Sequence, residues 1–226
     1  MRYKEFITEG LRHPVIVVDV QPEYSGMNDG DESPVFEEII EFVNKQTGRV
    51  LMFVNAEETG ISGDSIQGVM DYWNDTVCGY GGEEDRYDYD EETEEYTDKE
   101  CEDEINWSRF EIVDKGYGYL RGWMDQGIDD RVIIKVIREM YQQRVTDSRM
   151  LWDEEGGDEY EQHMTELGLG EISDNISVEW TSVTQLREFS GAYLVGGGRN
   201  ECLREVELLM NAFNIKYKRI DQLVYG

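Results

Sequence analysis

Proline and histidine are scarce in this chain of 226 residues, at three and two, and cysteine occurs only at 78, 101 and 202. Cysteines so few and so scattered predict neither a disulfide framework nor a zinc motif, and they point to a reducing, cytoplasmic compartment. No apolar run reaches the ~18 residues that a membrane-spanning helix needs. The opening MRYKEFITEG lacks the apolar stretch of a secretory signal. The dinucleotide fingerprint GxGxxG is absent, although Gly196, Gly197 and Gly198 stand together. Basic residues are few as well: 21 against 51 acids, a net charge of −30. Such a surface repels phosphate backbones and anionic lipid, which argues against nucleic-acid and membrane binding. It suits a partner rich in Lys and Arg.

What is present is enough apolar material for a core. Apolar residues make up 39 % and aromatics 12 %, too much for a wholly disordered chain. The length fits one domain with insertions. The acid is uneven. Glu83 to Glu104 holds 14 acidic and two basic residues around Tyr87, Tyr89 and Tyr96, and a second patch runs from Asp153 to Glu161. The first segment shows no apolar periodicity and is read as a solvated insertion spanning about residues 79–106.

Elsewhere strand and helix patterns alternate. Val15–Val18, Val50–Val54, Phe110–Val113, Ala192–Val195 and Ile215–Ile220 read as strands. Phe36, Ile39, Ile40 and Val43 fall at helical spacing. So do Ile66, Val69, Met70 and Trp73, with Ser62 or Asp64 as the cap, then Ile133 to Tyr141, then Leu203 to Phe213. Buried strands alternating with helices predict an α/β fold of three layers around a mainly parallel sheet. Ligands bind such sheets at the carboxyl ends of the strands, where Asp19, Lys115 and Cys202 fall.

Cys202 follows a strand and a glycine turn and opens a helix, a position that favours thiolate. A lysine such as Lys115 would favour it further. An aspartate such as Asp19 could take the thiol proton and return it to a leaving amine. The turn Gly196 to Asn200 could aim backbone N–H groups at a developing oxyanion.

These segments resemble the isochorismatase-like cysteine hydrolases. VIVVDVQPEYS resembles the family's opening strand through Asp19, Gln21 and Tyr24; FEIVDKGYGYL resembles its lysine strand; YLVGGGRNECLREVELLMNAFNIKYKRI resembles its nucleophile segment. The resemblance implies an isochorismatase-like, Rossmann-like fold over residues 10–226. It makes Cys202 the nucleophile, Asp19 the general acid/base and Lys115 the electrostatic partner. It also places a non-proline cis peptide at Gly197–Gly198. Tyr24, Asn55, Tyr117, Tyr119 and Arg199 become candidates for the substrate pocket. A stretch of about 121–175 stands where the family runs briefly to its next strand, and is read as a helical insertion. The metal of the nicotinamidase branch is not expected, because Asn55-Ala-Glu57 stands at its place and only His13 and His163 exist. No cofactor is implied. Family members commonly form dimers or tetramers, so a homo-oligomer is in keeping.

The first nine residues resemble something else, the capsid-targeting peptide of head-internal proteins in T-even-like tailed phages. Phe6, Ile7, Thr8 and Glu9 would place the protease cut before Gly10, and the protein would then act in the host cytoplasm or the virion head. The competing account is an amphipathic first helix with Tyr3, Phe6 and Ile7 on one face. Two functions follow. One is hydrolysis of a small amide or ureide C–N bond through a Cys202 acyl intermediate. The other is a catalytically idle acidic protein that docks a basic host or virion protein through residues 83–104.

Overall fold

A computed structural model describes residues 12–21, 34–54, 66–80, 87–90, 95–98, 101, 103–114, 118–151, 162, 165–166 and 175–226. The readings placed on the first nine residues and on the Ser62 or Asp64 cap lie outside these.

Three apolar strands form the centre: β1 (Val15–Val18), whose residues are all β-branched, β2 (Val50–Val54), and, on the other side of β1 from β2, a strand at Ala192–Gly196. All three are buried along their whole length, as expected of strands covered on both faces. Alternate residues enter opposite layers. Ile16, Val18, Leu51, Phe53 and Leu194 join one apolar cluster, whereas Val15, Val17, Val50, Met52, Val54 and Val195 join the other.

The second cluster is closed by α1 (Pro34–Lys45) and α2 (Ile66–Cys78). Phe36, Ile39, Ile40 and Val43 of α1 are buried at the spacing of one helical face, and Val69 and Trp73 serve α2. After α2 comes a hairpin, β3 (Tyr87–Asp90) and β4 (Glu95–Asp98), antiparallel with Tyr89 opposite Tyr96. A 3₁₀ turn at Trp107–Arg109 leads into β5 (Phe110–Asp114). Arg109 donates to the Val43 carbonyl at 2.7 Å, tying that turn to α1.

The first cluster is closed by the second half of the chain. Strand β6 (Gly118–Tyr119) precedes α3 (Arg121–Asp125) and α4 (Asp130–Gln143). A 3₁₀ turn at Ser148–Leu151 follows, and β7 (Ser177–Val178) pairs antiparallel with β6. Next come α5 (Trp180–Glu188), β8 (the Ala192–Gly196 strand), α6 (Cys202–Ala212) and β9 (Tyr217–Val224). Asp129 caps α4 by accepting the Arg131 N–H at 2.8 Å, and Arg144 ends it in the left-handed region at φ 61°. Ile133, Val136, Ile137 and Met140 line its buried face. Arg138 donates to the Ala212 carbonyl at 2.7 Å, placing a cation on the exposed carbonyls that end α6. The stretch read as a helical insertion thus supplies, in α4, part of one layer of the core.

The sheet order is β5-β2-β1-β8-β9, all parallel. The three-layer α/β architecture expected from the strand and helix patterns is present. The chain runs outward from β1 to β5 with its helices on one face. It then returns to β8 and runs outward to β9 with its helices on the other. The order reverses between β1 and β8, and a crevice opens at the carboxyl ends of strands flanking such a reversal.

One expectation needs correction. Cys78 and Cys101 form a disulfide with Cα atoms 5.6 Å apart, closing a sequence separation of 23. The argument from cysteine for a reducing compartment therefore falls, because such bonds persist in oxidising surroundings. The acidic segment read as a solvated insertion holds regular structure, the β3–β4 hairpin, with Tyr87 and Asp88 exposed. Its Tyr-Asp-Tyr-Asp run alternates with the strand period of two, a signal that a search for apolar periodicity overlooks.

Candidate functional site

At the carboxyl end of β1, Asp19 leaves the sheet in the left-handed region, φ 53°, a conformation that aspartate tolerates better than most residues. Its N–H donates to the Phe53 carbonyl at 3.0 Å, which holds it to the neighbouring strand β2. The Tyr225 hydroxyl donates to its carbonyl. One residue on, the Val20 carbonyl accepts the Trp73 indole N–H at 2.8 Å. Asp19 is 3 % exposed, so the backbone that carries its carboxyl group is fixed from three directions.

The neighbouring end of β8 makes the turn that faces it. Gly196 adopts φ 117° and packs against the β1 backbone so closely that an added Cβ would lie 2.1 Å from the Val18 oxygen. Gly198 adopts φ 65°. These two glycine conformations turn the chain with trans peptide bonds, and no cis peptide occurs among the described residues. The cis bond expected at Gly197–Gly198 is thereby corrected.

The turn also keeps fewer free N–H groups than expected. Gly197 donates to Val18 O at 2.9 Å, Arg199 to Tyr225 O at 3.1 Å, and Glu201 to Gly198 O at 2.8 Å. The Tyr225 ring lies over Gly197, where a Cβ would fall 1.6 Å from its Cζ. Tyr225 therefore fills the space beside the turn and ties it to Asp19.

Cys202 opens α6, half-buried, and packs at the margin of the apolar cluster that contains Ile16 and Val18. It takes no part in the disulfide. Glu205, one turn further along the same face, is 4 % exposed. Its Oε1 accepts the N–H of Leu120 at 2.7 Å and of Arg121 at 2.8 Å, satisfying donors at the start of α3 that have no partner within that helix. The Arg121 guanidinium then donates to Glu201 at 2.7 Å and to Asp125 at 3.4 Å. Burial pulls the Arg121 pKa down. The Glu201 and Asp125 carboxylates and the Cys202 sulfur, all near enough to act on its charge, more than offset that and raise it. Arg121 is thus held across the start of α6 by the residue before Cys202 and the residue three after it.

Sequence reasoning missed Arg121 and Glu205. The available signal was an acid set inside an apolar stripe: Glu205 lies between Leu203 and Val206, both buried. Its partner stands 84 residues away, beyond the reach of any local pattern.

Of the residues read as a site, the structure brings Asp19, Gly197, Gly198, Arg199 and Cys202 to the ends of the two central strands. Tyr119 lies on β6 and is 51 % exposed. Tyr24, Asn55, Lys115 and Tyr117 lie outside the described residues. Among the described residues, Arg121 carries the guanidinium on whose charge the Cys202 sulfur acts. Among the described residues no group of three or more His, Cys, Asp and Glu side chains could hold a metal ion, and no helix is long and apolar enough to cross a membrane.

The fold defines a class, the three-layer α/β proteins with a parallel sheet that reverses beside its first strand. Beyond that class, no family model, no curated protein and no solved structure matches the chain.

Proposed function

We propose that this protein is an isochorismatase-like cysteine hydrolase that cleaves the C–N bond of a small amide or ureide. The observation that carries the reading is that Asp19 and the turn leading to Cys202 both stand where the strand order reverses, with the Arg121 guanidinium near enough for the Cys202 sulfur to act on its charge. A cation and a helix start beside a thiol favour its thiolate, the form that attacks carbon. In the proposed reaction the Cys202 sulfur bonds to the carbonyl carbon and the C–N bond breaks. Asp19 gives the amine the proton it took from the thiol. Water then attacks the thioester, Asp19 accepts its proton, and the thiol is regenerated as the acid leaves.

The test needs no substrate at the outset. Iodoacetamide should label Cys202 alone, since Cys78 and Cys101 are bonded to each other. Arg121→Met should slow that labelling by about tenfold at pH 7 and leave it unchanged at high pH, where any thiol is ionised. With a panel of small amides, Cys202→Ser should abolish turnover and the acyl adduct seen by intact mass. Turnover that persists in Cys202→Ser removes the mechanism.

The second reading is a protein that docks a basic partner through residues 83–104. It is favoured by the β3–β4 hairpin, whose Tyr87 and Asp88 are exposed beside an element pinned by the Cys78–Cys101 bond. Deleting residues 83–98 should leave amide hydrolysis within twofold of the full chain if the enzyme reading holds. It should abolish salt-sensitive capture of a lysine-rich protein if the docking reading holds.

A further inference from the structure

In a chain with 21 basic residues against 51 acidic ones, three arginines converge on one hollow. Arg199, Arg204 and Arg219 line a cavity of about 340 Å³ together with Asn200, Asn211 and Leu208 and with two carboxylates, Asp130 and Glu207, so that the arginines exceed the acids by one. It lies on the outer side of α6, between that helix and the edge strand β9. Each guanidinium is anchored by one part and keeps another to spare. Arg199 donates through Nη2 to the carbonyls of Val224 at 3.2 Å and Asp221 at 3.4 Å. Arg204 donates through Nη2 to Asp130 at 2.7 Å. Arg219 uses Nε on Asp221 at 2.7 Å and Nη1 on Glu207 at 3.1 Å. Nε and Nη1 of Arg199, Nε and Nη1 of Arg204, and Nη2 of Arg219 make no hydrogen bond among the described residues.

We infer that this cavity is a binding site for the phosphoryl group of a small molecule, held by Arg199, Arg204 and Arg219. The site goes beyond the hydrolase reading and uses none of the chemistry assigned to Cys202.

Three forks approaching from three residues can serve separate oxygens of a tetrahedral dianion. A carboxylate offers two oxygens in one plane and a single charge. It would also compete poorly with Asp130 and Glu207, which already accept N–H groups at the edges of Arg204 and Arg219. Burial pushes the Glu207 carboxyl upward against the pull of Arg219. Prior anchoring means that little side-chain freedom is lost when the ligand arrives. The volume is at the small end of ligand pockets, so the fitting molecule is a small phosphorylated one. The charge of the whole chain also limits size. Beyond about 8–10 Å its repulsion is screened by physiological salt, but a long phosphate backbone would still run over acidic surface.

The probe is inorganic phosphate, followed by calorimetry and by ³¹P line broadening, with ionic strength held constant by chloride because any salt relieves the self-repulsion of a chain at −30. Saturable binding in the millimolar range is expected. Arg204→Met, which breaks only the surface pair with Asp130, should weaken it at least fivefold, and Arg204→Met with Arg219→Met should abolish it. Arg149→Met, whose guanidinium pairs with Asp147 at 2.8 Å, should leave binding unchanged and serves as the control. Phosphate no better bound than chloride overturns the inference, as does affinity unaltered by Arg204→Met in a folded protein. Succinate binding as tightly as phosphate overturns the phosphoryl assignment.

Discussion

Gly196→Ala is expected to cost about 4 kcal/mol of folding stability, read as a fall in the urea midpoint at unchanged slope. Two effects add. A side chain at φ 117° sits in a region that L-residues avoid, which costs on the order of 1–3 kcal/mol. The new methyl would also meet the Val18 oxygen at 2.1 Å, and crowding of that kind costs roughly 1–3 kcal/mol more. Relief by movement is closed off, because Val18 O accepts the Gly197 N–H and Val18 lies fully buried in the central strand. Natural domains hold only about 5–15 kcal/mol, so this one methyl consumes a large share. A midpoint within error of the parent protein would show that β1 and β8 can part at little cost, and the crevice geometry described above would fall with that result.

The second large effect is expected at Glu205. Glu205→Leu replaces the carboxylate with an apolar side chain of similar bulk and leaves the N–H groups of Leu120 and Arg121 without their acceptor. Each buried donor so orphaned costs about 1–3 kcal/mol, giving a loss of roughly 3 kcal/mol in all. Glu205→Gln retains a carbonyl oxygen at the same place and should recover at least half of that. Amide exchange separates this account from general loosening. Protection at residues 120 and 121 should drop in Glu205→Leu while protection in β1 and β2 changes no more than global stability requires. If exchange at 120 and 121 stays slow, the carboxylate is not what holds the start of α3.

How far the sequence could be read depended on where each pattern came from. Strands β1 and β2 are runs of Val, Leu, Ile, Met and Phe, β8 reads Ala-Tyr-Leu-Val-Gly, and all three are buried on both faces, so their signal is strong and local. Helix α4 announces itself through Ile133, Val136, Ile137 and Met140 for the same reason. Helix α5 went unread because Trp180–Glu188 buries only Ser182, Val183 and Leu186, too short a stripe to stand out from a loop. Strand β9 was expected to end at Ile220, since Asp221 and Gln222 interrupt its apolar pattern, yet pairing resumes at Val224 opposite Gly196. Asp19 and Cys202 could be placed at strand ends from sequence alone. The Arg121–Glu205 contact could not, since it joins the two halves of a layer through tertiary packing, and neither could the pairing of two cysteines across an acidic stretch.

The Cys78–Cys101 bond makes the intervening polypeptide a covalent ring, with the hairpin as its far side. A protease that nicks the chain anywhere between residues 79 and 100 would open that ring without shedding either fragment. The most charged part of the molecule can therefore be cut while the two pieces stay covalently joined, until a thiol reductant breaks that link.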